Sequence, residues 1–225
     1  MTVIFDCDGV LVNSEWLYAE IFSDALATIG VRKSAQDCFT DLCGLPLAQC
    51  YEKIEQAFQI SLPDTFPERV HSMTSKKLAG QLKANPGVEE VLDNLNKMDV
   101  PICVASNGMT DKVKRTLAAV GLDRFFSQTA IFGLDQVGRA KPSPDIFLYA
   151  AKSMRVSIRD CYVVEDSAVG VEAALASGAK VLHYDASFIG VDNAMTGEYG
   201  NNEEIIRFNS FNWLLQHLSK VFKKN

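Results

Sequence analysis

The sequence lacks a hydrophobic run long enough to cross a membrane. Its longest uncharged apolar stretches fall far short of the roughly 20 residues that a membrane-spanning helix needs. The chain opens Met1-Thr2-Val3-Ile4-Phe5-Asp6, where no basic residue precedes the apolar stretch and an aspartate interrupts it at once. We therefore expect neither a signal peptide nor a membrane partner.

Concentrated positive charge and paired cysteines are also missing. The formal net charge is −6, and basic residues gather only at Lys220, Lys223 and Lys224, which we interpret as a solvated terminal tail. Nucleic-acid-binding surfaces are normally basic, so no nucleic-acid partner is predicted. The six cysteines form no C-x-x-C pair, which predicts reduced thiols and a cytoplasmic location.

The remaining composition is that of a globular protein. The chain has 225 residues, of which 48% are hydrophobic and 22% charged, close to average usage for folded domains. This length suits one large domain or two small ones. A disordered chain, a collagen-like repeat and a long coiled coil are excluded.

Short apolar runs alternate with amphipathic helical patterns along most of the chain. The runs occupy residues 3–5, 101–105, 129–132, 162–164, 180–184 and 204–208, and the helical patterns residues 88–98, 111–120, 144–154 and 169–177. Runs that are apolar on both faces are typical of parallel strands covered by helices. The alternation predicts an α/β fold with a Rossmann-like, doubly wound parallel sheet.

The interval between the first two predicted strands, residues 6–100, is far longer than a βα crossover needs. Helical patterns at 15–29, 48–58 and 67–82 fill much of it. We therefore predict an all-helical domain over residues 15–84, inserted into a core made of residues 1–14 and 85–225. Hinges are expected near residues 13–15 and 84–87.

Two acids, Asp6 and Asp8, directly follow the first strand. In an extended chain, residues two apart face the same way and lie roughly 6–7 Å apart. That spacing suits a nucleophile and a separate proton donor, and a carboxylate nucleophile can form an aspartyl-phosphate. The alternative is a hairpin turn, because Asp8-Gly9 stands between apolar runs.

Three further signals each follow a predicted strand. Ser106 and Asn107, with neighbouring backbone N–H groups, suit phosphate oxygens, although Ser106 also suits a helix N-cap. Lys141 is a point-charge partner for phosphate, although it also suits an exposed turn. Glu165 and Asp166 suit Mg²⁺, although one acid also suits a helix cap. In open parallel sheets, ligands bind beyond the carboxyl ends of the strands, where all these residues fall.

Asp6-x-Asp8-Gly9-Val10, Ser106, Lys141 and Glu165-Asp166 resemble, in order and spacing, the motifs of the haloacid dehalogenase-like superfamily. The segments 141–147 and 165–170 are similar to its β-phosphoglucomutase and sugar-phosphatase branch. The helical insertion resembles the cap domain of that superfamily. Asn13 departs from the family, which usually has aspartate at this position.

The resemblance implies a role for each motif residue. Asp6 would attack phosphorus, and Asp8 would protonate the leaving alkoxide and then activate water. Asp6, the backbone carbonyl of Asp8 and Asp166 would hold Mg²⁺, with Glu165 in or beside the metal's coordination shell. Ser106, Asn107 and Lys141 would bind the phosphoryl group.

The mutases of this branch carry a cap histidine where this chain has Tyr18, and an arginine after the cap-loop glycine. No cation follows Gly44 within residues 45–49. Gly44 itself either approaches the substrate closely or simply ends a helix. We therefore predict a Mg²⁺-dependent phosphatase for small phosphorylated sugars or sugar acids, acting as a monomer or weak homodimer. A phosphomutase and a non-catalytic sugar-phosphate-binding protein remain the alternatives. His71, His183 and His217 adjoin no motif acid in sequence and receive no role.

Overall fold

The computed structural model describes residues 1–42, 45, 47–185 and 205–223. The chain divides into two compact units, Met1–Val12 with Ala84–Asn225, and Asn13–Lys83. These bounds lie within two residues of the division expected from the sequence. That the helical unit acts as a cap stays a prediction.

The first unit is built on a parallel sheet. Its described strands have the order β3-β2-β1-β4-β5-β6, and all neighbouring pairs are parallel. This confirms the predicted α/β class. The strands are β1 (Thr2–Phe5), β2 (Ile102–Ala105), β3 (Ile131–Phe132), β4 (Cys161–Glu165), β5 (Lys180–Tyr184) and β6 (Ile205–Phe208).

The central strands of this sheet are buried throughout, as expected when helices cover both faces of a parallel sheet. The helices of this unit are α5 (Val88–Lys97), α6 (Thr110–Ala119), α7 (Asp145–Ser153), α8 (Ala168–Ser177) and α9 (Phe211–Lys223). One face of the sheet carries α7 and α8, which share an apolar core with Ile4, Cys103 and Val163. Elsewhere α9 packs against α5 and β6.

The second unit is helical and has a core of its own. It contains α1 (Ser14–Ala27), α2 (Ala35–Leu42), α3 (Leu47–Phe58) and α4 (Phe66–Gln81). Buried side chains such as Phe22, Ile54 and Phe66 form one apolar cluster. Asn13, which departs from the family pattern, caps α1 by accepting a hydrogen bond from the Trp16 N–H at 3.2 Å.

Three elements differ from the sequence-based expectations. The third strand covers two residues rather than four, because β2 pairs with Ile131 and Phe132 alone. Helix α2 was not expected. Neither was α9. Lys220 is exposed, as expected for a solvated residue, but it lies on this helix and not in a tail. Lys223 ends α9, and Lys224 lies outside the described residues.

Within the described ranges, no helix combines the length and apolar character that a bilayer-crossing segment requires. The five described cysteines are buried free thiols, namely Cys7, Cys38, Cys50, Cys103 and Cys161. Cys43 lies outside the described residues.

Phe211 fixes the C-terminal helix to the core. It is 2% exposed and contacts the rings of Tyr184 and Phe208, with centroid distances of 4.8 and 5.9 Å. A methyl group on Gly87, which has φ +84°, would lie 3.0 Å from its Cβ. Glycine at this position therefore lets α5 begin directly against Phe211.

We predict that Phe211→Ala lowers the free energy of unfolding by about 3–5 kcal/mol, because it leaves a cavity beside the rings of Tyr184 and Phe208. The matched control is Asn212→Ala, the exposed next residue on the same helix, which should change it by less than about 0.5 kcal/mol. Urea unfolding followed by circular dichroism measures both. Equal effects of the two substitutions would contradict this role for Phe211.

Candidate active site

The first acidic pair lies at the carboxyl end of β1, in the middle of the sheet. The Asp6 N–H still donates to the Val164 carbonyl at 2.9 Å, so the residue is held by the sheet ladder. Asp6 is 6% exposed, whereas the side chain of Asp8 is 40% exposed. The hairpin interpretation of Asp8-Gly9 is wrong, because both neighbours of β1 are parallel strands.

Lys141 joins the two acidic segments. Its Nζ lies 2.5 Å from Asp6 Oδ1, 2.7 Å from Glu165 Oε1 and 3.1 Å from the Ala105 carbonyl oxygen. The Phe147 ring covers it, with Nζ 4.8 Å from the ring centroid. The residue is 7% exposed, so the alternative of an exposed turn lysine is wrong.

Asn107 holds the segment that carries Lys141. Its Oδ1 accepts a hydrogen bond from the Lys141 backbone N–H at 2.9 Å. Arg139 and Asp145 flank Lys141 in the sequence, and the Arg139 guanidinium donates two hydrogen bonds to the Asp145 carboxylate at 2.6 and 2.8 Å. The geometry thus gives Asn107 a positioning contact with the lysine segment, where sequence analysis expected a phosphate ligand.

Ser106 ends β2 beside these groups. It is 2% exposed, and its Oγ accepts a hydrogen bond from the Gly108 N–H at 3.0 Å. The alternative that Ser106 caps the next helix is wrong, because α6 begins at Thr110 and Asp135 accepts from the Thr110 N–H at 2.7 Å. Ser106 therefore forms a turn at the sheet edge, directly after Ala105, whose carbonyl accepts from Lys141.

Glu165 closes the turn that follows β4. Its Oε1 accepts from Lys141, and its Oε2 accepts from the N–H groups of Asp166 and Ser167 and from the Ser167 hydroxyl, at 2.8–3.0 Å. Ser167, rather than either acid, caps α8 by accepting from the Gly170 N–H. Both carboxylate oxygens of Glu165 are thus engaged with donors, which orients the group toward Lys141 and its own turn.

Two glycines leave room for the carboxylates. A methyl group on Gly9 would overlap the carboxylate of Asp166, and one on Gly170 would overlap the carboxylate of Glu165. Gly9 also has φ +86°, a conformation that other residues rarely adopt. The Asp166 side chain therefore lies directly against the turn that carries Asp8.

Negative charge exceeds positive charge around Asp6. The pKa of Asp6 is raised to about 7, chiefly by burial; Lys141 lowers this pKa, while Glu165 and Asp8 raise it. Burial alone would lower the pKa of Lys141, but attraction to Asp6 and Glu165 holds it above its usual value. A bound cation would relieve this imbalance.

The donors present fit a magnesium ion. In the part of the chain that the structure describes, no group of three or more acidic, histidine or cysteine side chains is gathered as a metal site. Mg²⁺ nevertheless needs one or two protein carboxylates, with waters and phosphate completing its octahedron. Asp6 and Asp166 offer two such carboxylates, and Asp166 lies against Gly9, the residue that follows Asp8.

Two residues without an assigned role in the sequence analysis contact this site. Lys112, on the first turn of α6, places Nζ 3.3 Å from Asp8 Oδ2, and its side chain is half exposed. His183, on β5, places Nε2 3.2 Å from the Asp166 carbonyl oxygen. The sequence analysis, which gave His183 no role, did not anticipate this contact. Strand register, which pairs His183 with Glu165, is the signal that would have found it.

The helical unit contains a small cavity of about 220 Å³. Glu15, Tyr18 and apolar side chains from α1, α2 and α3 line it, and its described lining includes no lysine or arginine. Gly44, the predicted cap-loop residue, lies outside the described residues.

We predict that Lys141→Met lowers the free energy of unfolding by about 3–5 kcal/mol, because it leaves Asp6 and Glu165 buried without their cation. Arg139→Met is the control, since its exposed pair with Asp145 contributes little. Adding Glu165→Gln to Lys141→Met should recover part of the loss. Urea unfolding in EDTA measures all variants, and a similar result for Lys141→Met and Arg139→Met would contradict the argument.

Comparison with known proteins agrees with this geometry. Residues 3–184 match the family model of the haloacid dehalogenase-like hydrolases. The chain is 27% identical to the 6-phosphogluconate phosphatase of Escherichia coli over 82% of each chain. It is 31% identical to a phosphorylated carbohydrates phosphatase of Thermotoga maritima, over 80% of this chain and 83% of the relative.

A solved structure extends the likeness to nearly the whole fold. A hydrolase of this family from Deinococcus radiodurans, with bound phosphate and sodium, superposes with a TM-score of 0.81. It is 25% identical and covers 97% of this chain and 95% of its own. The parallel sheet, the acids at its carboxyl edge and the matched family model lead to one conclusion: the chain belongs to the haloacid dehalogenase-like hydrolases.

Proposed function

We propose that the protein is a Mg²⁺-dependent phosphatase that hydrolyses small phosphorylated sugars or sugar acids through an aspartyl-phosphate on Asp6. The observation that carries this proposal is the buried contact of Lys141 with Asp6 and Glu165. A buried carboxylate beside a fixed ammonium group is an arrangement suited to attack on an anionic phosphate ester.

In the first step, an Asp6 carboxylate oxygen attacks phosphorus. Lys141 donates to Oδ1, so Oδ2 is the oxygen that forms the new P–O bond. The bond from phosphorus to the sugar oxygen breaks, and Asp8 gives its proton to the departing alkoxide. The half-exposed position of Asp8 suits a group that must reach the leaving oxygen and then water.

In the second step, water attacks the phosphorus of the aspartyl-phosphate. Asp8 takes a proton from this water, the P–O bond to Asp6 breaks, and inorganic phosphate leaves. Lys141 and the backbone around Ser106 stabilise the negative charge on the phosphoryl oxygens in both steps.

Asp6, Asp166 and the Asp8 carbonyl would hold the metal ion. When bound, Mg²⁺ supplies positive charge beside the phosphoryl oxygens. Glu165 has a separate role, since its carboxylate oxygens already accept from Lys141 and from the turn that follows it. We therefore assign Glu165 to the positioning of Lys141, and not to direct metal binding.

Sugar phosphates are the proposed substrates because two relatives are named as phosphatases of phosphorylated carbohydrates or of a phosphorylated sugar acid. Hydrolysis is favoured over mutase chemistry because Tyr18 stands where the mutases carry a histidine and no cation occurs within residues 45–49. Action as a monomer or weak homodimer and a cytoplasmic location remain predictions.

We predict that Asp6→Asn reduces phosphate release by at least about 10³-fold, because it removes the nucleophile. Release from 6-phosphogluconate and hexose phosphates in the presence of Mg²⁺ measures this. Asp111→Asn, an exposed aspartate on α6, should retain wild-type activity. Interconversion of β-glucose 1-phosphate with a bisphosphate primer, without phosphate release, would favour the mutase instead.

We predict a different defect for Asp8→Asn. With p-nitrophenyl phosphate, whose leaving group needs no proton, the first step should persist while the attack of water slows. Rapid-quench measurements should then show a nitrophenol burst of about one equivalent per enzyme, followed by slow turnover. Wild-type protein and Asp111→Asn should show no such burst. Unchanged steady turnover in Asp8→Asn would contradict the assignment of Asp8 as the base.

A further inference from the structure

We propose that His183 is a positioning residue for Asp166, acting through the backbone of the turn that carries this carboxylate. The inference rests on the proposed function only in its consequence for metal binding. His183 is 6% exposed, and its Nε2 lies 3.2 Å from the Asp166 carbonyl oxygen. Buried polar groups of this kind are normally satisfied by specific partners.

The strand register places His183 beside the acidic turn. Glu165 on β4 pairs with His183 on β5, and His183 pairs with Arg207 on β6. Directly paired residues of neighbouring strands project from the same face of a sheet. Arg207 in turn contacts Asp185 at 3.2 Å, so the imidazole lies in a row of polar side chains at this end of the sheet.

The direction of the hydrogen bond fixes the tautomer. A carbonyl oxygen only accepts, so Nε2 must carry the hydrogen in this contact. His183 therefore supplies a fixed N–H donor to the Asp166 carbonyl.

The turn is held from both sides. Glu165 Oε2 accepts from the N–H groups of Asp166 and Ser167, while His183 donates to the Asp166 carbonyl. Donors and acceptors of the same peptide segment are thus fixed by two different strands. The direction of the Asp166 side chain depends on that backbone, and its carboxylate lies against Gly9.

As a consequence, the Asp166 carboxylate, a proposed metal ligand, is already oriented before a metal ion binds. Without the His183 hydrogen bond, the turn gains freedom and Asp166 samples other directions. Residues that orient metal ligands through hydrogen bonds typically change metal affinity by about 10–100-fold when substituted. His183 should therefore affect metal affinity far more than the rate at saturating metal.

The test compares His183→Phe, which keeps an aromatic ring without the donor, with His183→Gln, whose side-chain amide restores one. His217→Phe is the matched control, the same substitution on α9. Two measurements are made: amide hydrogen exchange of metal-free protein at Asp166 and Ser167, and the Kd for Mn²⁺ by electron paramagnetic resonance. Asp166→Asn calibrates the loss expected when the carboxylate itself is removed.

In His183→Phe, we expect the amide hydrogens of Asp166 and Ser167 to exchange at least about tenfold faster than in wild type. We expect the same substitution to weaken Mn²⁺ binding about 10–100-fold. His183→Gln should recover most of both effects, and His217→Phe should match wild type. In phosphate-release assays, the half-saturating Mg²⁺ concentration should rise while kcat at saturating metal stays within about threefold of wild type.

Unchanged amide exchange in His183→Phe would overturn the proposal, as would equal losses in the Phe and Gln variants. Failure of the proposed function gives a different pattern. If wild-type protein bound no Mn²⁺, the metal assignment would fall, yet faster exchange in His183→Phe would still support the positioning role.

Discussion

The contact of Lys141 with Asp6 and Glu165 is the interaction on which the rest of the site depends. Its three charges come from residues 135 and 24 positions apart in the chain, and all three side chains are almost fully buried. A buried charge is tolerated only when it is paired and hydrogen-bonded. Each residue therefore fixes the other two, and the ends of β1 and β4 must stay in register with the Lys141 segment.

That requirement explains why the turns at this edge are so tight. The Asp166 and Glu165 carboxylates occupy the space that a side chain at Gly9 or Gly170 would need. Asn107 and Ser167 then fix the segments that carry the charges, by accepting hydrogen bonds from the backbone of Lys141 and Gly170. The precision of the site comes from small residues and short polar side chains next to the charges.

Sequence pattern was sufficient for the sheet and for the residues at its edge. Buried parallel strands produce continuous apolar runs, and their carboxyl ends must meet, so Asp6, Lys141 and Glu165 were expected together. Pattern was insufficient where the partner is distant in sequence. The apolar side of α9 could not be assigned without knowing that it packs against α5. Glu165 and Asp166 are adjacent acids that differ only in what their side chains contact. His183 is brought to Asp166 only by the register of β4 and β5.

The charges at this edge constrain what can bind there. Among the described side chains, Lys141 pairs with Asp6 and Glu165 and Lys112 pairs with Asp8, while the Asp166 carboxylate lies against Gly9. Four carboxylates thus stand against two ammonium groups. Such an excess of negative charge repels a phosphate dianion at short range. Burial of Asp6 beside Glu165 and Asp8 also raises its pKa to about 7, despite the opposing charge of Lys141, and this weakens it as a nucleophile. A cation among the carboxylates would reduce the repulsion of the phosphate and lower the pKa of Asp6. Under the proposed function, metal dependence therefore follows from the charge arrangement itself.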